Sequence, residues 1–346
     1  MLLTNMSRLK VSRSNNNRAP LEWADIPIPS PKENELLVKI SACGVCHTEL
    51  DEIEGRMPPP RLPIVPGHQA VGTVVEKGNR TERFHIDDRI GIAWIHSSCG
   101  RCRFCRVGRE NLCPGFKATG RDANGGYAEY MTIQESYAYP VPADLTDAEV
   151  APLLCAGAVG YRSILLSGIQ DGLSLGLSGF GASAHLVLKT VKHLYPRTKV
   201  FVFARGVEQK QYALELGAFW SGNSEDLSPE KLSAIIDTTP AWKPIVESMK
   251  NLESGGRLVI NAIRKEEKDK EYLQRIDYPR DLWMEKNIQS VANVTRKDVT
   301  GFLELAGKIA IKPEVQEYPL EQANEALFEL KQGKIRGAKV LRMDRY

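Results

Sequence analysis

Four cysteines, Cys99, Cys102, Cys105 and Cys113, follow one another in the cadence CxxCxxCxxxxxxxC. Four thiolates at this spacing can close round one tetrahedral ion and use every coordination position, so such a site holds a lobe in place and has no room for substrate. Pairing the same four as two disulfides would need an oxidising compartment. The polar and basic start MLLTNMSRLKVSRSNNNRAP offers none of the apolar core that a secretion signal needs. A second set is scattered: Cys46 in SACGVCHTEL, His68 in PIVPGHQAVG and Cys155 in APLLCAGAVGYRS. Two thiolates and one imidazole would leave a zinc ion one position open, and an open position is where chemistry happens. A single Cys or His is more often packed in a core than bound to a metal. Here Gly44, Gly67 and Pro66 stand beside the ligand segments, so turns at strand ends can bring the three together. Cys43 belongs to neither set.

The third signal is LSLGLSGFGASAHLVLKT, in which a strand-like run enters Gly179, Phe180, Gly181 and Ala182, and Ala184 takes the third small position as a helix opens. This is a dinucleotide fingerprint in its proper strand-to-helix context. The first glycine makes the turn, the second lets backbone approach a pyrophosphate, and the small third residue packs helix against sheet. The helix N-terminus attracts the phosphate charge. At the end of the next strand, KVFVFARG, an NAD-binding unit would present an acid to the ribose 2′-hydroxyl, whereas this chain has Ala204 and then Arg205. A 2′-phosphate would meet no repulsion there, and Arg205 with Lys210 could hold it. The expectation is NADP in preference to NAD.

The elements that must carry these residues differ along the chain. Up to about residue 145, short β-rich runs (ELLVKI, AVGTVVE, RIGIAWI, YAEYMTI) broken by Pro and Gly predict an irregular, mainly antiparallel lobe. After Leu173, strand and helix alternate, which predicts a doubly wound parallel sheet. From about Arg296, helix, strand, helix and strand return to the first lobe. The 346 residues suit two domains, read as 1–152 with 295–346 for the zinc-binding lobe and 153–294 for the dinucleotide-binding one. With 46 basic and 43 acidic residues intermixed, no field for nucleic acid or an anionic membrane is built in. No apolar run approaches the length a membrane helix needs. The chain reads as a cytoplasmic protein whose partners are small molecules, and the charged run RKEEKDKEYLQR from Arg264 reads as a solvated surface.

With these motifs in order, the whole chain resembles the zinc-dependent medium-chain alcohol dehydrogenases. ACGVCHTEL is similar to the family's catalytic cysteine segment, PGHQAVG to its histidine segment, CGRCRFCRVGRENLC to its structural zinc lobe, APLLCAGAVGYRS to its second cysteine segment, and GGYAEY to a family strand. The resemblance implies a GroES-like catalytic domain built from both chain ends, a central Rossmann domain, and two zinc ions per chain. Cys46, His68 and Cys155 would hold the catalytic zinc, the ligand set for which alcohol dehydrogenase is itself the standard example. Thr48 would relay the alcohol proton, Glu49 would accept a hydrogen bond from His68, His47 would meet the cofactor pyrophosphate and Trp94 would line the substrate pocket. The implied reaction interconverts an alcohol with an aldehyde or ketone by hydride transfer to or from a nicotinamide cofactor. A homodimer or homotetramer is implied as well.

Three positions depart from the family pattern. Gln69 follows the histidine where many relatives have Glu, and Asp51 stands where relatives often have the His that ends the proton relay. Ala338 follows Gly337 where a phosphate-contacting Arg is frequent, leaving Arg336 as the nearest substitute. Polyol or amino-alcohol dehydrogenation on the same fold, and a nucleotide-binding zinc protein without turnover, are the competing readings. Gln69 and Trp94 favour a less polar alcohol over a polyol.

Overall fold

The computed structural model describes residues 6–11, 20–309, 311–333 and 337–343. The chain divides into two compact units, Met1–Cys155 with Val294–Tyr346, and Ala156–Asn293. In chain order the first unit begins with a hairpin-like pair, β1 (Met6–Val11) and β2 (Leu21–Ile26), followed by β3 (Glu35–Val45), helix α1 (His47–Ile53), β4 (Ala70–Lys77) and β5 (Arg89–Ile92). β6 (Ile95–Ser97), β7 (Lys117–Ala118), β8 (Tyr130–Gln134), β9 (Ala138–Pro140) and α2 (Asp147–Pro152) complete its N-terminal part.

The second unit contains α3 (Ala158–Ser167), β10 (Ser174–Ser178), α4 (Ala182–Leu194), β11 (Lys199–Phe203), α5 (Val207–Glu215) and β12 (Trp220–Gly222). It continues through β13 (Leu232–Asp237), α6 (Lys243–Met249), β14 (Leu252–Ile260), α7 (Tyr278–Asp281) and β15 (Asn287–Ser290). The chain then returns to the first unit as α8 (Arg296–Ile309), β16 (Val315–Pro319), α9 (Ala323–Lys331) and β17 (Ala338–Arg342).

β3 organises the first unit. Its sequence ELLVKISACGV is buried at nine of eleven positions, so it reads as an apolar run and not as an alternation. The first half pairs with β8 and the second with β17, both antiparallel, while β4 runs along its other side. The sheet order is β16-β17-β3-β4-β5-β9, which makes the C-terminal segment part of the same layer as the N-terminal strands. β17 carries Lys339, whose ammonium is buried and reaches Glu329 Oε2 at 2.5 Å, the Tyr318 hydroxyl at 2.5 Å and Gln316 Oε1 at 2.9 Å.

In the second unit all six strands are parallel, in the order β12-β11-β10-β13-β14-β15. Helices cover both faces. Leu175, Leu177, Val200 and Val202 pack with Val187, Leu188 and Val191 of α4, and on the other face Phe201, Ile235 and Leu258 pack with Ile245, Val246 and Met249 of α6. Chain order reverses between β10 and β13, and that reversal opens a crevice at their C-terminal ends, the place where doubly wound sheets bind ligands.

One expectation needs correcting. The helical stretch Asp147–Ser167 is 21 residues long and, by length and composition, does approach what a membrane helix needs, but 67% of its most apolar window is buried inside the protein. Its apolarity serves the core. The charged run from Arg264 is not uniformly solvated either. Asp269 accepts from the backbone amides of Trp242 and Lys243, and the Lys265 side chain is only 7% exposed.

Candidate functional site

Cys46 and His68 are brought together by one strand pair. Cys43 of β3 stands opposite Ala70 of β4, and the Gly44 amide donates to the Gln69 carbonyl at 3.0 Å. Cys46 lies just past the end of β3 and His68 just before the start of β4, so antiparallel pairing puts both at the same end of the ladder. Gly67, with φ +98°, turns the chain into His68, and a Cβ there would sit 2.4 Å from the Tyr127 ring. Only glycine meets both conditions. Cys155 comes from the π-helical stretch Leu153–Gly157, which follows directly on Pro152 at the end of α2. Proline removes a ladder donor, and a widened turn is the common local response.

The three ligand atoms, Cys46 Sγ, His68 Nε2 and Cys155 Sγ, lie within 4.8 Å of one another, with His68 Nε2 and Cys155 Sγ 3.2 Å apart. Three donors round a tetrahedral zinc would stand about 3.5 to 3.8 Å from one another, given bonds of about 2.0 Å to nitrogen and about 2.3 Å to sulfur. The donor set fits zinc in type, with the nitrogen and one sulfur at 3.2 Å, a few tenths of an ångström closer than a bound ion would hold them. Glu49, on the first turn of α1 and wholly buried, supports two ligands at once: Oε2 accepts from the Cys46 amide at 2.8 Å, and Oε1 faces His68 Nδ1 at 2.6 Å. A carboxylate on Nδ1 fixes the proton there and leaves the Nε2 lone pair for a metal.

Electrostatics follow from this packing. Burial works against a charged imidazole, yet the Glu49 carboxylate and the Cys46 sulfur carry His68 well above the ordinary histidine range. The Cys155 thiol, by its hydrogen bond, holds Cys46 well below the ordinary thiol range, while Cys155 itself is pushed up by that bond and by burial. Glu52, one turn along α1, is pushed up to about 9, first by burial and then by the negative charge of Glu49.

The other expected residues are placed as follows. Thr48 is buried with Oγ1 3.6 Å from Cys46 Sγ, and His47 is exposed at the first position of α1. Trp94 stands edge-on to the His68 ring, centroids 5.0 Å apart at 85°, and Phe116 backs it at 6.3 Å. Asp51 is buried with Oδ1 2.6 Å from Arg56 Nε, a partner that reading the sequence missed. Gln69 is buried. Ala338 opens β17, its amide donating to the Glu314 carbonyl at 2.8 Å, and Arg336 lies outside the described residues.

All seven cysteines are free. The sulfurs of Cys99, Cys102, Cys105 and Cys113 lie within 4.8 Å of one another. Backbone amides point at them: Gly115 N donates to Cys113 Sγ at 3.3 Å, and the amides of Arg101 and Cys102 pull the Cys99 thiol down to about 6. Cys43 is buried core, its thiol pushed up by that burial.

In the second unit β10 ends at Ser178, Gly179 turns with φ +82°, and Gly181 precedes α4 in extended conformation with open space where a Cβ would be. Phe180 and Ala184 are buried and Ala182 is the first residue of α4. The turn and the helix end are shaped to receive a pyrophosphate. Arg205 is exposed and makes no hydrogen bond or ion pair among the described residues, while Lys210 Nζ donates to Asn223 Oδ1 at 2.9 Å.

Comparison with known proteins agrees with this geometry. Residues 32–143 match the alcohol dehydrogenase GroES-like domain. The probable alcohol dehydrogenase AdhA of Mycobacterium tuberculosis is 40% identical over 93% of this chain and 92% of its own length. An alcohol dehydrogenase of Geobacillus stearothermophilus is 32% identical over 97% and 99%. The chain belongs to the zinc-dependent medium-chain alcohol dehydrogenases. It is therefore an alcohol dehydrogenase by family, an oxidoreductase that uses a nicotinamide cofactor and interconverts alcohols with aldehydes or ketones. Solved structures of the same fold include a thermostable alcohol dehydrogenase of Pyrobaculum aerophilum, with TM-score 0.87, 21% identity and coverage of 98% and 99%. Another is the CAD of Helicobacter pylori complexed with NADP(H), with TM-score 0.86, 22% identity and coverage of 98% and 98%.

For this dehydrogenase, Glu49→Gln is expected to keep the fold but weaken zinc retention about 10- to 100-fold, the usual effect of removing a histidine's supporting carboxylate. Competition with a coloured chelator measures it, and an unchanged affinity would show that Glu49 does not hold the ligand.

Proposed function

We propose that Cys46, His68 and Cys155 hold a catalytic zinc and that Cys99, Cys102, Cys105 and Cys113 hold a second, structural one, two ions per chain. The observation that carries this reading is the convergence of two sulfurs and one imidazole nitrogen from three distant segments, with Glu49 orienting two of them. Bound zinc supplies a Lewis acid for the substrate oxygen, and bound nicotinamide exchanges the hydride. The chain's own residues do the rest. Thr48, buried beside Cys46, accepts the hydroxyl proton of the alcohol and passes it outward. Asp51, buried and ion-paired with Arg56, stands in place of the histidine that relatives use. Trp94 and Phe116 form an apolar wall next to His68 that keeps water from the reacting oxygen and favours a substrate of low polarity.

The domain roles follow: residues 1–152 and 295–346 act as the catalytic domain and 153–294 as the dinucleotide-binding domain. Gly179, Phe180, Gly181, Ala182 and Ala184 receive the pyrophosphate. NADP is preferred over NAD because Arg205 is an exposed cation where an acid would exclude the 2′-phosphate, with Lys210 of α5 as a second candidate. Arg205→Ala is expected to lower the ratio of kcat/KM for NADP to that for NAD about 10- to 100-fold, the worth of one or two charge-assisted bonds. A ratio that does not move would refute the assignment.

The protein associates as a homodimer or homotetramer through this domain. β15 is fully exposed at the sheet edge, and Tyr278, Trp283, Met284 and Ile288 expose apolar surface close to it. Seven free thiols suit a reducing cytoplasm. Metal analysis with a panel of primary alcohols, secondary alcohols and aromatic aldehydes, assayed with both cofactors, tests the whole reading. Two zinc ions and turnover of an alcohol or carbonyl are expected; one zinc and no turnover would indicate a binding protein.

A further inference from the structure

The switch point of the parallel sheet contains a charge pair that neither the fingerprint nor the zinc centre uses. Asp237 ends β13 directly beside the end of β10, and its carboxylate is fully buried. It accepts from Ser178 Oγ at 2.8 Å, Thr239 Oγ1 at 2.8 Å and Lys265 Nζ at 2.5 Å. Lys265 also donates to the Thr239 carbonyl at 2.7 Å. The Thr238 amide and hydroxyl both return to the Ser178 carbonyl, at 2.8 and 3.1 Å, and the Asn261 amide donates to the Asp237 carbonyl at 2.7 Å. The ends of β10, β13 and β14 are thus stitched together under the fingerprint turn. That turn touches the stitching directly, since a Cβ on Gly179 would meet Thr238 Oγ1 and Thr239 Cγ2, each at 2.9 Å.

A buried carboxylate at this place poses a problem. A dinucleotide brings a doubly charged pyrophosphate to the Gly179–Gly181 turn, and two like charges a few ångströms apart in a poorly screened interior repel strongly. Lys265 removes the problem by neutralising Asp237 at Oδ2, the oxygen that Ser178 and Thr239 do not use, and its second bond, to the Thr239 carbonyl, fixes the segment that lies against Gly179. We infer that Lys265 is a positioning residue for the dinucleotide, acting through Asp237: it cancels a buried anion beside the pyrophosphate and holds the turn over which the cofactor lies. The inference rests on the fingerprint being the cofactor site. A merely structural ion pair would change melting temperature without changing affinity for an anionic ligand.

The test is calorimetric titration of the folded, zinc-loaded protein with NADPH and NADH. Lys265→Met is expected to raise Kd at least ~10-fold, the scale of a close uncompensated charge. The double variant carrying Asp237→Asn with Lys265→Met, in which the anion is gone as well, is expected to bind within about 3-fold of wild type. Asp237→Asn alone keeps the lysine and is expected to bind at least as tightly as wild type, which tests the idea even where Lys265→Met does not fold. Wild-type affinity in Lys265→Met overturns the inference, as does a double variant as weak as the single or a tenfold loss in Asp237→Asn. A wild-type protein that binds neither dinucleotide overturns the cofactor reading itself.

Discussion

His68→Ala is expected to release one of two zinc equivalents per chain and to lower kcat/KM for alcohol oxidation by about 10³-fold or more. The magnitude follows from the several kcal/mol that a Lewis acid contributes to charge developing on the substrate oxygen, at about 1.4 kcal/mol per factor of ten. The imidazole cannot be replaced by a neighbour, because the other donors are already committed. Cys46 caps the start of α1, Cys155 is fixed in its π-helical turn, and Glu49, whose Oε1 faces His68 Nδ1 at 2.6 Å, would be left buried without its partner. The second zinc should remain, since its four sulfurs lie in a separate loop. Elemental analysis with steady-state kinetics checks both parts together. A variant that lost activity but kept two ions would mean that His68 acts on substrate and not as a ligand.

Lys339→Met is expected to lower stability by about 2 to 4 kcal/mol. Breaking a buried ion pair costs about 3 to 5 kcal/mol because the remaining charge is stranded. The lower figure applies here because Glu329 is 28% exposed and water can reach it. The loss also strips two neutral acceptors, Tyr318 and Gln316, of their donor. Because β17 pairs with the second half of β3, the strand that leads to Cys46, the expected sign includes weaker zinc retention as well as a lower melting temperature. Differential scanning calorimetry reads the first effect. A melting temperature within a degree of wild type would show that the cluster relaxes without cost.

What could be read in advance divides by the distance over which a signal acts. The cysteine loop and the fingerprint are local, with spacing and flanking strand or helix visible together, and the helix ASAHLVLKTVKHL coincides with α4 as found. Cys46, His68 and Cys155 are far apart and became legible only because each sits in a distinctive segment. Lys265 shows the opposite case. Lying between Arg264 and Glu266 it resembles any solvated charge, and nothing nearby indicates that Asp237, 28 residues earlier, is buried and in need of a cation. Lys339 is hidden in the same way, since AKVLRM says only that a strand is present. The Arg56 partner of Asp51 was close enough in sequence to be found, but it lies just beyond the last turn of α1, where helical spacing no longer applies. The apolar length of Asp147–Ser167 is obscured in the sequence by Tyr161, Arg162 and Ser163, which interrupt the run.

Helix α1 has only seven residues, far fewer than an isolated helix needs to persist in water, where about 12 to 15 are marginal. What initiates it is Glu49 gripping the Cys46 amide, and the same carboxylate orients His68. Coordination and helix initiation therefore share one anchor. One side chain thus serves two purposes, so a substitution at Glu49 would loosen the start of the helix that carries Thr48 and the orientation of His68 together.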